Sequence, residues 1–157
     1  RTAPRGGSGH KHAVVALVER GSGEVRSIYT PMLRQMDMRK IMRDNISPDA
    51  HIRTDESPLY HGTRFSFESH KAVNHGKDEY VKGDASTNTI EGVFSIFKRG
   101  MIGTYQHCGE QHLQRYLHEF DFRYSNREAV GVNDMGRAAR ILKGAEGKRL
   151  MYRQNTY

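Results

Sequence analysis

The chain's 157 residues are enough for one domain with a substantial core and too few for two independent ones. Apolar residues make up 36% and charged residues 27%, a polar composition that still lies on the globular side of disorder, and no apolar run approaches the roughly 18 residues of a membrane span. One cysteine, Cys108, excludes an intrachain disulfide, and the Lys and Arg excess leaves a formal +7 with a pI near 9.7, which nucleic acid, an anionic surface or solubility would each explain.

Residues 1–11 are rich in Gly and basic residues and read as a loose lead-in loop; residues 12–157 read as one domain. His12 to Glu19 is an apolar, β-branched run, Gly21-Ser22-Gly23 marks a tight turn, and Glu24 to Thr30 alternates polar and apolar residues, so the three together predict an antiparallel hairpin. Met32, Leu33, Met36, Ile41 and Met42 recur at helical spacing and predict a helix over 31–45. Ser47-Pro48-Asp49 is a turn, and His51 to Thr54 a short strand that delivers Asp55 to its C-terminal end. Ser57-Pro58 has the pattern of an N-cap followed by Pro, opening a short helix through Tyr60. A strand follows over 69–75, then a polar connection over 76–87. Helices are predicted over 89–99, stopped at Gly100 or Gly103, over 109–124 with Leu113, Tyr116, Leu117 and Phe120 as its apolar stripe, and over 135–142. The sum is an α/β layered domain.

Two acids stand out. Metal-dependent phosphodiester chemistry needs carboxylates from separate elements converging on divalent cations, and an Asp at a strand end with a Glu on a later helix suits it. Asp55 and Glu91 have those positions. Each also has a plain structural role open to it: Asp55 can cap the following turn, and Asn88-Thr89-Ile90-Glu91 has capping-box spacing. Glu56 is a rival ligand, but neighbours on a strand point to opposite sides. On the helix, Ile90, Val93, Phe94, Phe97 and Met101 share a face, and Glu91, Ser95, Lys98 and Ile102 form a line beside it, so Lys98 is placed to hold a phosphate. Lys98, Arg99, Arg115, Arg123 and Arg127 are candidate DNA contacts, with Tyr105, Tyr116 and Tyr124 among them as stacking platforms or ordinary core. His107, Cys108 and His112 form only a weak zinc pattern, because no second ligand pair exists.

The segments TDESPLY (54–60) and KAVNHGKDEYVKGDASTNTIEGVFSIFKRGMIGTYQHCGEQHLQRYLHEFDFRYSNR (71–127), and more weakly GKRLMYR (147–153), resemble bacterial insertion-sequence transposases of the ISXO type, in the DDE superfamily. HAVVALVER resembles that family's second strand. The resemblance implies an RNase H-like fold, a mixed sheet flanked by helices, with an Asp-Asp-Glu triad and two Mg²⁺ or Mn²⁺ ions. It implies DNA transposition: water cuts at transposon ends, and the freed 3′-hydroxyl attacks target DNA. By motif match Asp55 is the second acid and Glu91 the third. Transposon-end and target DNA, a homo-oligomer when intact, and a cytoplasmic, nucleoid-associated location follow as further expectations, with no membrane association. Two departures stand against the pattern. Ser86 replaces an expected His, and the first acid, on a first strand before the Gly-rich loop, is not found, Glu19 being the first acidic residue. The chain is therefore expected to be inactive alone. The rival functions are a non-catalytic DNA- or protein-binding relic, and an RNase H-like nuclease that cuts DNA without joining it.

Overall fold

The computed structural model describes residues 13–73 and 88–148. Strands β1 (Ala13–Val18) and β2 (Val25–Thr30) form the expected antiparallel hairpin, with Ala13 opposite Thr30 and Val18 opposite Val25. Its turn uses Gly21 at φ +94° and Gly23 at φ +71°, backbone that a side chain would strain. Glu19 N–H donates to Glu24 O at 2.9 Å and Gly23 N–H to Glu19 O at 3.0 Å, closing it.

The outer edge of β2 is sealed by a helix, α3 (Glu110–Ser125), through side chains rather than through another strand. Val25 N–H donates to Ser125 Oγ at 2.9 Å, Ser27 N–H to Asp121 Oδ2 at 2.5 Å and Tyr29 N–H to Gln114 Oε1 at 2.8 Å. Gln114 Nε2 returns a bond to Ser27 O at 2.9 Å. Every second residue of the strand is thus satisfied by residues 114, 121 and 125, which lie on one face of the helix. Covering an edge in this way removes a site of unwanted strand pairing.

Helix α1 spans Gln35–Asn45, four residues later than the apolar spacing predicts. Pro31 to Arg34 are outside the helix: Thr30 Oγ1 donates to Met32 O at 2.7 Å, and Arg34 N–H to Asp37 Oδ2 at 2.9 Å, so the N-terminus is set at Arg34. Met32 and Met36 stay exposed, and Met38 and Met42 are buried instead. These two methionines join Val15 of β1, Ile52 and Phe67 in a single core.

Strand β3 (His51–Asp55) pairs in parallel with β4 (Ser69–Val73), Asp55 opposite Val73. The expected end of this last strand at residue 75 and the connection 76–87 lie outside the described residues. Between the two strands Ser57 Oγ accepts from Leu59 N–H and opens a 3-10 turn over Pro58–Tyr60, followed by a second over Thr63–Phe65 that the sequence does not announce. The described residues therefore form two two-stranded sheets, β1-β2 and β3-β4, where one mixed sheet was expected. Val15 and Ile52 bring both to the same core, yet no ladder links them.

Helix α2 (Asn88–Gly100) does not stop at its glycine but runs into a π-helical turn over Met101–Tyr105. A Cβ on Gly100 would lie 2.2 Å from Phe120 Cζ, so this glycine serves close approach to α3 rather than termination. Phe97 meets Phe120 edge-on at 5.2 Å, and Tyr105 meets Tyr116 at 4.6 Å. A 3-10 turn over Glu128–Val130 leads to α4 (Asp134–Ala145), capped by Asn133 Oδ1 on Gly136 N–H at 2.8 Å.

Candidate active site

Asp55 is the last residue of β3 and is exposed. Its Oδ1 accepts Ser57 N–H at 3.0 Å, so it does cap the following turn, and one oxygen is left over. The neighbouring Thr54 is buried and fixes the strand end: its hydroxyl donates to Asp55 O at 2.7 Å and contacts His70 Nε2 at 2.8 Å. With the hydroxyl proton spent on Asp55 O, the imidazole must donate through Nε2. Burial lowers the His70 pKa and favours the neutral ring. Tyr60 packs edge-on to His70 with ring centres 6.4 Å apart. Burial, and then the negative charge of Asp55, raise its phenol pKa.

Arg53 is a residue that sequence reasoning missed. It lies two positions before Asp55 on the same strand, hence on the same side, and its Nη1 is sealed from solvent with no hydrogen-bond partner among the described residues. A buried guanidinium nitrogen without an acceptor is costly, so this position suits an incoming anionic or carbonyl oxygen. The signal for it was a basic residue in phase with the acid.

Glu91 is exposed in the first turn of α2, and Ser95, Lys98 and Ile102 are exposed in line with it. Val93 is buried and Ile90, Phe94, Phe97 and Met101 are half-buried, the face the periodicity predicts. Residues 74–87, which connect β4 to α2, are outside the described part. Among the described residues no group of three or more His, Cys, Asp and Glu side chains is placed to hold a metal. Two exposed carboxylates are the hard oxygen donors that Mg²⁺ and Mn²⁺ prefer, so the residues present fit such ions in kind but fall short of three acids. His107, Cys108 and His112 form no such group among the described residues either.

The candidate DNA contacts divide. Lys98, Arg99 and Arg115 are exposed. Arg123 is exposed too but pairs with Glu119 at 2.6 Å. Arg127 is half-buried, donates to Tyr124 O at 2.6 Å and lies over the Tyr124 ring at 3.9 Å. Tyr105 donates to both Glu119 carboxylate oxygens at 2.8 Å, which raises its pKa. These tyrosines pack α2, α3 and the π-turn together.

No curated protein and no solved structure gives a significant match to this chain. A family model described as the ISXO2-like transposase domain matches residues 1–125. That stretch takes in both two-stranded sheets, Asp55 and Glu91, ends with α3, and leaves α4 outside. The chain belongs to the ISXO2-like transposase domain family, insertion-sequence transposases of the DDE superfamily.

Proposed function

We propose that this chain serves DNA transposition and carries two acids of a two-metal active site, Asp55 at the end of β3 and Glu91 on α2. The observation that carries the reading is the position of Asp55: a strand-end carboxylate, exposed, with one oxygen held by Ser57 N–H and the other without a partner among the described residues. Asp55 and Glu91 would be ligands of two Mg²⁺ or Mn²⁺ ions, which when bound would supply activation of the attacking oxygen and stabilisation of the leaving one. The protein's own part is positioning. Ser57 and Thr54 fix the strand end, Asp55 and Glu91 supply ligands, and Lys98, one line along α2 from Glu91, steadies a phosphate. Arg115 and Arg99 meet the DNA backbone, as Arg123 and Arg127 do where their bonds to Glu119 and Tyr124 allow.

The fold reading that goes with this is RNase H-like. The two ladders are then flanks of one mixed sheet, completed by an extended strand between β1 and β3 that brings the first acid. Two features support it: the shared core beneath Val15 and Ile52, and an edge of β1 that pairs with no strand among the described residues. Arg53 Nη1 adds a donor awaiting an acceptor nearby. A homo-oligomer at work in the cytoplasm, on nucleoid DNA, completes the picture. No described helix is long and apolar enough to cross a membrane.

The test is cleavage and joining of transposon-end DNA by the chain joined to a segment bearing the first strand. Activity with Mg²⁺ or Mn²⁺, lost in Asp55→Asn and in Glu91→Gln, supports the reading. The shortfall of a third acid among the described residues favours a second one, a binding module without catalysis. That module would bind DNA in a salt-dependent way that neither metal nor Asp55→Asn alters. Cutting without strand transfer would identify a nuclease instead.

A further inference from the structure

The sheet of β3 and β4 has one face that the core does not use. Residues in register in a parallel pair project to the same side. His51, Arg53 and Asp55 of β3 therefore share a face with Ser69 and Lys71 of β4, while Ile52 and Thr54 are buried on the other. Parallel strands are ordinarily apolar on both faces, because helices cover them. This face carries a polar row instead, and Arg53 stands directly beside Lys71 in it. Two like charges side by side repel. No carboxylate relieves them: among the described residues neither Arg53 nor Lys71 has an ion-pair partner, Asp55 included. Lys71 is exposed, whereas Arg53 is half-buried and its Nη1 is shut off from water with no acceptor among the described residues. A merely solvated basic face would keep every donor in water. A sealed guanidinium nitrogen beside an exposed ammonium is the donor set of an anion site.

We propose that Arg53 and Lys71 together hold one backbone phosphate of a DNA strand, and that this contact sets the strand's register at Asp55. The guanidinium offers a planar pair of donors and the ammonium a point charge, so one tetrahedral anion can accept from both. Two residues of β3 carry the chain from Arg53 to Asp55, about 6–7 Å along the strand. That is close to the step between neighbouring phosphates of one nucleic-acid strand, so a phosphate on the cation pair presents its neighbour to the carboxylate. The role of Asp55 in this rests on the transposase reading above, but the phosphate contact itself needs no metal.

Binding of a fluorescent oligonucleotide to the full chain in EDTA tests the contact apart from catalysis. Arg53→Gln and Lys71→Gln should each weaken binding about tenfold, and the double variant little more than either, because both side chains hold the same phosphate. Arg115→Ala, on α3, should instead add its own loss to that of Arg53→Gln. Additive losses for Arg53 and Lys71 overturn the proposal, since they mean separate contacts, and so does unchanged affinity. Thermal unfolding without DNA is the second readout. Arg53→Met should leave Tm unchanged or raise it, because it removes an unsatisfied donor and a like-charged neighbour. Inorganic phosphate should raise the wild-type Tm more than chloride at equal ionic strength, and should not do so in Arg53→Met. A lower Tm in Arg53→Met overturns the proposal, because the guanidinium then has a partner within the chain. Phosphate stabilisation with unaltered DNA affinity also overturns it and identifies a site for free phosphate. In the chain joined to a first-strand segment, cutting that Asp55→Asn abolishes and Arg53→Gln leaves untouched sinks this proposal while the transposase reading stands. Coupled losses in a chain that never cuts support the phosphate contact and remove the catalytic reading.

Discussion

Asp121 is the buried polar residue that ties α3 to the hairpin, and replacing it separates hydrogen bonding from charge. It is 8% exposed, and Ser27, which gives it a backbone N–H at 2.5 Å and a hydroxyl at 2.6 Å, is 3% exposed. Asp121→Ala removes both acceptors and leaves the Ser27 N–H buried without a partner, at a cost of about 2–4 kcal/mol. For a chain of this size that is a fall in Tm of about 5–15 °C. Asp121→Asn keeps an acceptor for the N–H, and its amide can donate to Ser27 Oγ once the hydroxyl rotates, so the loss should be under about 1 kcal/mol. The two variants also differ with pH. Desolvation raises the Asp121 pKa above its ordinary 3.8, although the bonds from Ser27 pull it back down. The folded state therefore holds the proton more tightly than the unfolded one. This group's contribution is greatest below 3.8 and falls as pH rises from there to the folded value. Wild-type stability relative to Asp121→Asn should decline across that window, measured by urea unfolding at a series of pH values. An Asn variant as damaged as the Ala variant, or a wild-type advantage that grows with pH, would refute the argument.

Other outcomes follow from particular contacts. Gly100→Ala forces Phe120 aside, because the new Cβ would lie 2.2 Å from its Cζ; a loss of about 1–3 kcal/mol is expected, largely recovered by Phe120→Leu in the same chain and read by thermal unfolding. Arg115→Ala should weaken DNA binding and lower the slope of log affinity against log salt by about one, with little effect on Tm. Arg127→Ala should do the reverse, lowering Tm by unseating the guanidinium from Tyr124 while moving the salt slope less.

What the sequence shows best is what depends on neighbours within a few residues. The hairpin rests on β-branched runs and a Gly-Ser-Gly turn, and the buried face of α2 on a 3.6-residue period that Val93 anchors. The strand-end position of Asp55 and the helical position of Glu91 were legible because both are local patterns. The start of α1 was misplaced because Met32 and Leu33 continue the period, and only the Thr30 and Asp37 bonds show that the helix begins after them. Gly100 has the composition of a helix stop, and its use is a contact with a residue twenty positions away. Gln114, Asp121 and Ser125 look like the wet face of α3. Their bonds to Val25, Ser27 and Tyr29 span some 85 to 100 residues, and no window of sequence contains both partners.

The two edges of the hairpin make a last comparison, which bears on the RNase H-like reading. The N–H groups of Val25, Ser27 and Tyr29 point to α3, so in an antiparallel ladder their opposite numbers, Val18, Ala16 and Val14, point away from β2 as well. Those three peptide groups meet no hydrogen-bond partner among the described residues. Among the described residues one edge is thus closed by side chains and the other has no partner, and Val15 of that edge strand shares a core with Ile52 of β3. Amide exchange distinguishes them residue by residue. Val14, Ala16 and Val18 should exchange quickly while Val15 and Leu17, bonded to β2, are protected, and Ser27 should be protected until Asp121→Ala uncovers it. Addition of a segment that completes the sheet should protect Val14, Ala16 and Val18 together, since one strand bonds all three. If that segment restores DNA cleavage and leaves these amides fast, the added strand does not lie beside β1, and the RNase H-like arrangement is wrong even though the chemistry is right.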